Sequence, residues 1–191
     1  ARMAELRKCD EENKQKISTS TDSIEYRSRT ESLLEDMVNE QEQTPWGEIQ
    51  QHVYVDKRAG ETHIDVVKGK PAADTETLVR VHEPFSVMDF IQANPRHSWS
   101  LPKALERIQQ AESGVVILLH RTEDGATLLD RTLPKGANQA YKWDSKSYGI
   151  GAQILAGLNV GKLRVLGQPS AFTGLTGFGL EVVGFEEAEN K

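Results

Sequence analysis

A chain of 191 residues with a formal net charge of -6 and a single cysteine has room for one domain of ordinary size plus an appended segment, not for two large domains. Its 23 basic residues are scattered instead of forming a run that tracks a phosphate backbone, so nucleic acid is excluded as the expected partner, and a lone thiol, Cys9, makes no internal disulfide and fits a reducing cytoplasm. The longest purely aliphatic run, from Val115 to Leu119, is far short of the ~20 residues of a membrane helix, so the composition predicts a soluble protein with no membrane partner and no export signal.

Hydrophobic residues make up 37% of the chain, enough for a core once the glycines are added. Residues 7–22 contain one aliphatic side chain, Ile17, and residues 39–43 are wholly polar; both stretches are expected in water. Asp22 suits a helix N-cap, and Ile24, Arg27, Glu31 and Leu34 recur at helical spacing, which predicts a helix from residue 22 to about residue 38. Strand patterns follow. Ile49, Gln51, Val53 and Val55 alternate with Gln50, His52 and Tyr54, and residues 62–67 and 77–82 add two β-prone runs, with turn chemistry at Ala59-Gly60 and Lys68-Gly69-Lys70-Pro71 between them.

The second half alternates helical and extended patterns. Leu101, Ala104, Leu105, Ile108 and Ala111 form one apolar helix face, residues 115–120 read as a buried strand, and Asp124-Gly125 marks a turn. Ile150, Ile154, Leu155 and Leu158 form a second apolar face, and residues 163–166 and 180–183 complete the strands. The order predicts an α/β fold of mixed α+β character, a mixed sheet with packed helices.

Generic chemistry is thin. His52, His63, His82, His97 and His120 have no partner at metal-ligand spacing along the chain, so a metal site has to assemble from scattered residues. His82 and His120 each end a predicted strand, where hydrogen-bonded structural roles compete with a site. Gly149-Ile150-Gly151 opens a predicted helix; its N–H groups face a phosphate on one reading and merely start the helix on the other. Trp46, Trp99 and Trp143 are too dispersed for a stacking platform and read as packing residues.

Three segments carry a family resemblance. Tyr148-Gly149-Ile150-Gly151-Ala152-Gln153-Ile154-Leu155, then Gly161-Lys162-Leu163-Arg164-Val165-Leu166, then Gly177-Phe178-Gly179-Leu180-Glu181-Val182-Val183 resemble, in wording and order, the C-terminal part of GTP cyclohydrolase II. Thr44-Pro45-Trp46-Gly47-Glu48 resembles that family's opening strand entry, and Val79-Arg80-Val81-His82 the strand leading into its metal loop. Upstream, Ile24-Glu25-Tyr26-Arg27-Ser28-Arg29-Thr30-Glu31 is similar to the arm that joins dihydroxybutanone phosphate synthase to GTP cyclohydrolase II in bifunctional riboflavin-biosynthesis proteins. The resemblance divides the chain into the tail of an upstream synthase domain (1–21), a connecting arm (22–43), a GTP cyclohydrolase II-like domain (44–186) and a C-terminal tail (187–191).

The departures from that family bear on function. Its active members hold zinc with one cysteine shortly after V-R-V-H and a C-x-C pair about ten residues later, and the metal activates water. Here Phe85 takes the first thiolate position and Arg96 and Ser98 stand where the pair belongs; a phenyl ring donates no ligand and a guanidinium repels a cation. The resemblance therefore implies no zinc and no other cofactor, with Asp89 and His97 as the components of any substitute site. The family's Q-E-G-R-G-I-G becomes Arg121-Thr122-Glu123-Asp124-Gly125-Ala126-Thr127, and its L-T-N-N-P-x-K becomes Leu166-Gly167-Gln168-Pro169-Ser170-Ala171-Phe172, both poorer in positive charge for a triphosphate. Ten residues separate Leu133 from Asp144, where the family carries about twice that length with a helix and E-A-N. The D-x-R-x-Y/F motif survives as Asp144-Ser145-Lys146-Ser147-Tyr148. Asp144 and Lys146 are then a remnant catalytic pair, the lysine a phosphate nucleophile if its pKa is lowered, or else a helix cap and a solvated cation.

Retained packing motifs beside eroded pocket motifs predict a non-catalytic domain that serves an upstream 3,4-dihydroxy-2-butanone 4-phosphate synthase domain of the same polypeptide, by dimerisation, folding or regulation, in a cytoplasmic homodimer. A pseudoenzyme that still binds a nucleotide or a flavin-pathway metabolite, and a working cyclohydrolase with a rebuilt site, are the alternatives. A cleft filled by Phe85, Trp99 and Trp143 distinguishes the first from the others.

Overall fold

The computed structural model describes residues 34–83, 99–120, 125–126, 129, 145–169 and 175–188. Within them the chain forms β1 (Leu34–Thr44), β2 (Gly47–Asp56), β3 (Glu61–Lys68), β4 (Glu76–His82), α1 (Leu101–Gln109), β5 (Gly114–Leu119), α2 (Ser145–Gly157), β6 (Lys162–Leu166), a 3-10 turn (Leu175–Phe178) and β7 (Glu181–Glu186). The seven strands make one sheet in the order β1-β2-β3-β5-β4-β6-β7. From β1 to β5 each neighbouring pair is antiparallel; β4 is parallel to β5 and β6, and β6 to β7. The mixed sheet with packed helices is the predicted class.

Two local expectations fail. Residues 34–38, assigned to a helix, and the polar stretch 39–43 belong to β1 instead. Residues 35–43 are solvent-exposed, as expected for 39–43, but pairing with β2 supplies backbone hydrogen bonds that a weak helical pattern over 34–38 cannot outbid. Side chains reinforce the ladder: Gln50 Nε2 donates to Asn39 Oδ1 and Gln41 Nε2 to Glu48 Oε1. Residues 22–33 lie outside the described residues. Gly149-Ile150-Gly151, read as a helix start, sits one turn inside α2, where N–H groups bond back to earlier carbonyls and none is offered to an anion.

Helix α1 follows its sequence signals. Ser100 Oγ accepts the Lys103 N–H, Pro102 occupies the first turn, and Leu101, Ala104, Leu105 and Ile108 are buried. They meet Ile49, Val66, Leu78, Val116, Leu118 and Leu166 on one face of the sheet. The opposite face packs Val67, Val79, Val115, Ile117, Leu119 and Leu163 against Ile150, Ala152, Ile154 and Leu155 of α2. Every residue of β5 is buried, as a central strand covered on both faces requires. Each such aliphatic side chain contributes about 1.5–3 kcal/mol of burial. Gly114 sets the spacing between α1 and the sheet, since a methyl group there would lie 2.6 Å from Ile108 Cβ.

The parallel half is also tied by charge. Arg164 of β6 forks onto Glu76 of β4, Nε to Oε1 at 2.6 Å and Nη2 to Oε2 at 3.0 Å, and the guanidinium holds the Glu76 carboxyl below its ordinary value. A depressed carboxylate adds stability above its unfolded pKa and loses it as pH falls through the folded value. Glu76→Gln is therefore expected to be less stable than the parent at neutral pH by a small, salt-sensitive amount. The gap should close as pH falls below about 4.5; chemical denaturation across that range measures it.

Candidate functional site

Alternation along β2 and β3 places polar side chains on the sheet face that α2 covers farther along. The register sets His52 opposite Asp65, Tyr54 opposite His63 and Asp56 opposite Glu61. Directly paired residues share a face, so all six line one surface. Val53 and Val55, the apolar members of the β2 alternation, are only half-buried, whereas His52 and Asp56 are buried. His63 and Asp65, at 1% and 0% exposure, are as deep as Asp56 at 1%.

This burial controls their chemistry. His52 Nδ1 and Asp65 Oδ1 are 2.7 Å apart, and the Tyr54 phenol lies on the same face within the influence of that carboxylate. Burial pushes the Asp65 carboxyl up, against the opposing pull of His52, and then of Tyr54, beside it. Burial, then the Asp65 charge, drives the Tyr54 phenol far above its normal value, so it stays protonated and remains a donor. The His52 and Tyr54 rings stand 6.1 Å apart, tilted by 40°. At the hairpin end, Asp56 Oδ1 accepts the N–H groups of Arg58 (2.8 Å) and Ala59 (3.2 Å), and one ligand atom from each of Asp56, Glu61 and His63 fall within 4.8 Å of one another. Those three can hold a metal ion.

A second polar group stands at the same end of the sheet. His63 pairs with Leu119 and His82 with Leu118, so both strands reach the carboxyl end of β5, the end at which open α/β sheets bind ligands. His82 is fully buried and Glu83 is 3% exposed. From α2, Tyr148 approaches Glu83; burial, then the charge of Glu83, raises its phenol above the ordinary value. Elsewhere, a concavity of about 460 Å³ is lined in part by Glu76, Arg107, Arg164 and Glu186. Its guanidiniums are already forked onto glutamates, leaving little free charge for a ligand.

The sequence candidates are distributed unevenly over this picture. Phe85, Arg96, Ser98, Asp89, His97, Trp143 and Asp144 lie outside the described residues. Lys146 is in the first turn of α2. Trp99 is buried against the α1 side, with its Nε1 donating to the Glu186 carbonyl at 2.9 Å, and Trp46 is exposed at the β1–β2 turn. His120 is exposed just past β5. Sequence spacing alone separated His52 from His63, which antiparallel pairing brings to adjacent strands. The available signal was the period of two shared by His52, Tyr54 and Asp56 and by Glu61, His63 and Asp65.

A family model described as GTP cyclohydrolase II matches residues 35–187. The chain is 87% identical over 189 residues to a 3,4-dihydroxy-2-butanone 4-phosphate synthase of Neisseria meningitidis, covering 99% of this chain and 52% of that protein. It is 32% identical over 202 residues to the riboflavin biosynthesis protein RibBA of Aquifex aeolicus, covering 96% and 49%. Among solved structures it is similar to RibBX, a two domain 3,4-dihydroxy-2-butanone 4-phosphate synthase from A. baumannii, with 29% identity, a TM-score of 0.56 and coverage of 100% of this chain and 50% of that one. The chain spans about half the length of the curated relatives it matches.

These relatives correct one expectation. A non-catalytic supporting domain, with a metabolite-binding pseudoenzyme as its alternative, was inferred from missing cyclohydrolase motifs. The relative 87% identical over 99% of the chain is named a 3,4-dihydroxy-2-butanone 4-phosphate synthase. Loss of one activity's residues says nothing against another activity of the same polypeptide.

His52→Phe leaves the buried Asp65 carboxylate without its partner at Oδ1 and is expected to cost about 1–3 kcal/mol of stability. Urea denaturation at neutral pH measures the loss.

Proposed function

The chain belongs to the GTP cyclohydrolase II family, and from that premise we propose that the polypeptide carrying it acts as a 3,4-dihydroxy-2-butanone 4-phosphate synthase in riboflavin biosynthesis. The observation that carries this reading is the 87% identity over 189 residues to the meningococcal synthase. The two domain synthase from A. baumannii, matched over 50% of its length, supports a corresponding division: residues 1–21 end a synthase domain, 22–43 connect, 44–186 form the cyclohydrolase II-like domain and 187–191 are a tail. Residues 34–43 of that connector run as β1 along β2, so the connector enters the sheet instead of hanging from it. Zinc held by three thiolates has no place in this reading, because Cys9 is the chain's one cysteine.

Self-association as a homodimer belongs to the same proposal. Met37, Val38 and Trp46 are exposed by 57%, 37% and 37%, and all three lie on the hairpin of the edge strand β1, where apolar surface marks a contact. Light scattering of the full-length protein at micromolar concentration is expected to give a dimer mass; a strict monomer overturns the point. For the activity, the full-length gene carrying this sequence is expected to restore growth without riboflavin to a strain lacking its own 3,4-dihydroxy-2-butanone 4-phosphate synthase, and the purified protein to yield that phosphate. Soluble expression with neither growth nor product refutes the assignment.

A further inference from the structure

We propose that Asp56, Glu61 and His63 bind one divalent transition-metal ion, Zn2+ or Mn2+, at the closed end of the β2–β3 hairpin. Three observations carry the site. One ligand atom from each side chain falls within 4.8 Å of the other two. Ligands around an ion at ~2.1 Å stand roughly 3–4 Å apart, so a closure of at most about 1–2 Å completes the triangle. Glu61 is half-buried at the mouth of the group, and the Arg58 and Ala59 N–H groups orient the Asp56 carboxylate.

The second observation is charge. Asp56 and Glu61 are directly opposed across the strands, and like charges in that position repel, the more so when one is buried at 1% exposure. The six residues of this face hold three carboxylates, two imidazoles and a phenol, with no lysine or arginine. In the adjoining turn, Lys57 pairs with Glu35 of β1 at 3.3 Å and Arg58 is exposed. The third observation is Asp65, two residues beyond His63 on this face. His52 meets its Oδ1, and its fully buried Oδ2 has no hydrogen-bond partner among the described residues. The surface is built with a surplus of acceptors, which a cation corrects.

One imidazole with two carboxylates selects the borderline ions over Mg2+ and Ca2+, which favour all-oxygen shells. The partial exposure of Glu61 leaves room for water in the remaining positions. Asp56, Glu61 and His63 each also take part in an interaction within the chain. The inference is independent of the synthase assignment.

The test uses full-length protein stripped with a chelator and titrated with ZnCl2 or MnCl2 by calorimetry, alongside thermal unfolding. One equivalent per chain is expected, with Tm rising by about 5–10 °C at a hundredfold excess over Kd. Glu61→Gln, at a half-exposed position, is expected to keep the metal-free Tm while weakening affinity at least tenfold, and His63→Gln to weaken it further. Loss of folding in His63→Gln leaves the decision with Glu61→Gln. Absence of binding, or parental affinity in Glu61→Gln, overturns the proposal.

Discussion

A guanidinium that cannot be neutralised lies inside this protein, and the parallel half of the sheet is arranged around it. Arg80 of β4 is 7% exposed, and a buried cation is tolerated only among acceptors. Its Nη1 donates to the Leu166 carbonyl at the end of β6 (2.8 Å) and its Nη2 to the Trp99 carbonyl ahead of α1 (3.4 Å). Trp99 passes the constraint on, donating its indole N–H to the Glu186 carbonyl at the end of β7. The Glu186 carboxylate in turn receives Arg107 of α1 at 2.6 and 2.9 Å. Removing one partner would strand a charge, so β4, β6, β7 and α1 hold one another in a single arrangement.

The antiparallel half obeys a different rule. On the α1 side, β2, β3 and β5 present Ile49, Val66, Val116 and Leu118 to a continuous apolar layer. On the other side the layer of β5 and α2 gives way, across β3 and β2, to His63, Asp65, His52, Tyr54 and Asp56. A polar surface this buried is costly unless its members satisfy one another. The His52–Asp65 bond at 2.7 Å and the turn contacts of Asp56 do part of that. A protein gains nothing in stability from such a face over a hydrophobic one, which makes it the natural place to look for binding.

Fold and activity part company here. The cyclohydrolase II family match covers residues 35–187, yet the relatives over 99% and 100% of the chain are named as synthases. A scaffold keeps its packing residues because they hold it together, whatever chemistry its polypeptide performs. The eroded cyclohydrolase motifs bear on that reaction alone and are silent about any other.

Much of the fold was legible in the residues. The apolar stripe Leu101, Ala104, Leu105 and Ile108 and the run Val115 to Leu119 became α1 and β5 as read, because period and burial agree in the central layers. The family was legible too, from the wording of residues 148–155, 161–166 and 177–183. Strand β1 was not: a polar segment with few apolar residues carries no periodic signal, and its state is decided by whether β2 offers a free edge to pair with. The candidate site was hidden for a related reason. Sequence alone determined that β2 and β3 alternate, but which face turns inward depends on register with β5 and on where α2 lies. Only that packing buried His52, Asp56, His63 and Asp65 and brought side chains from two strands within reach of one another.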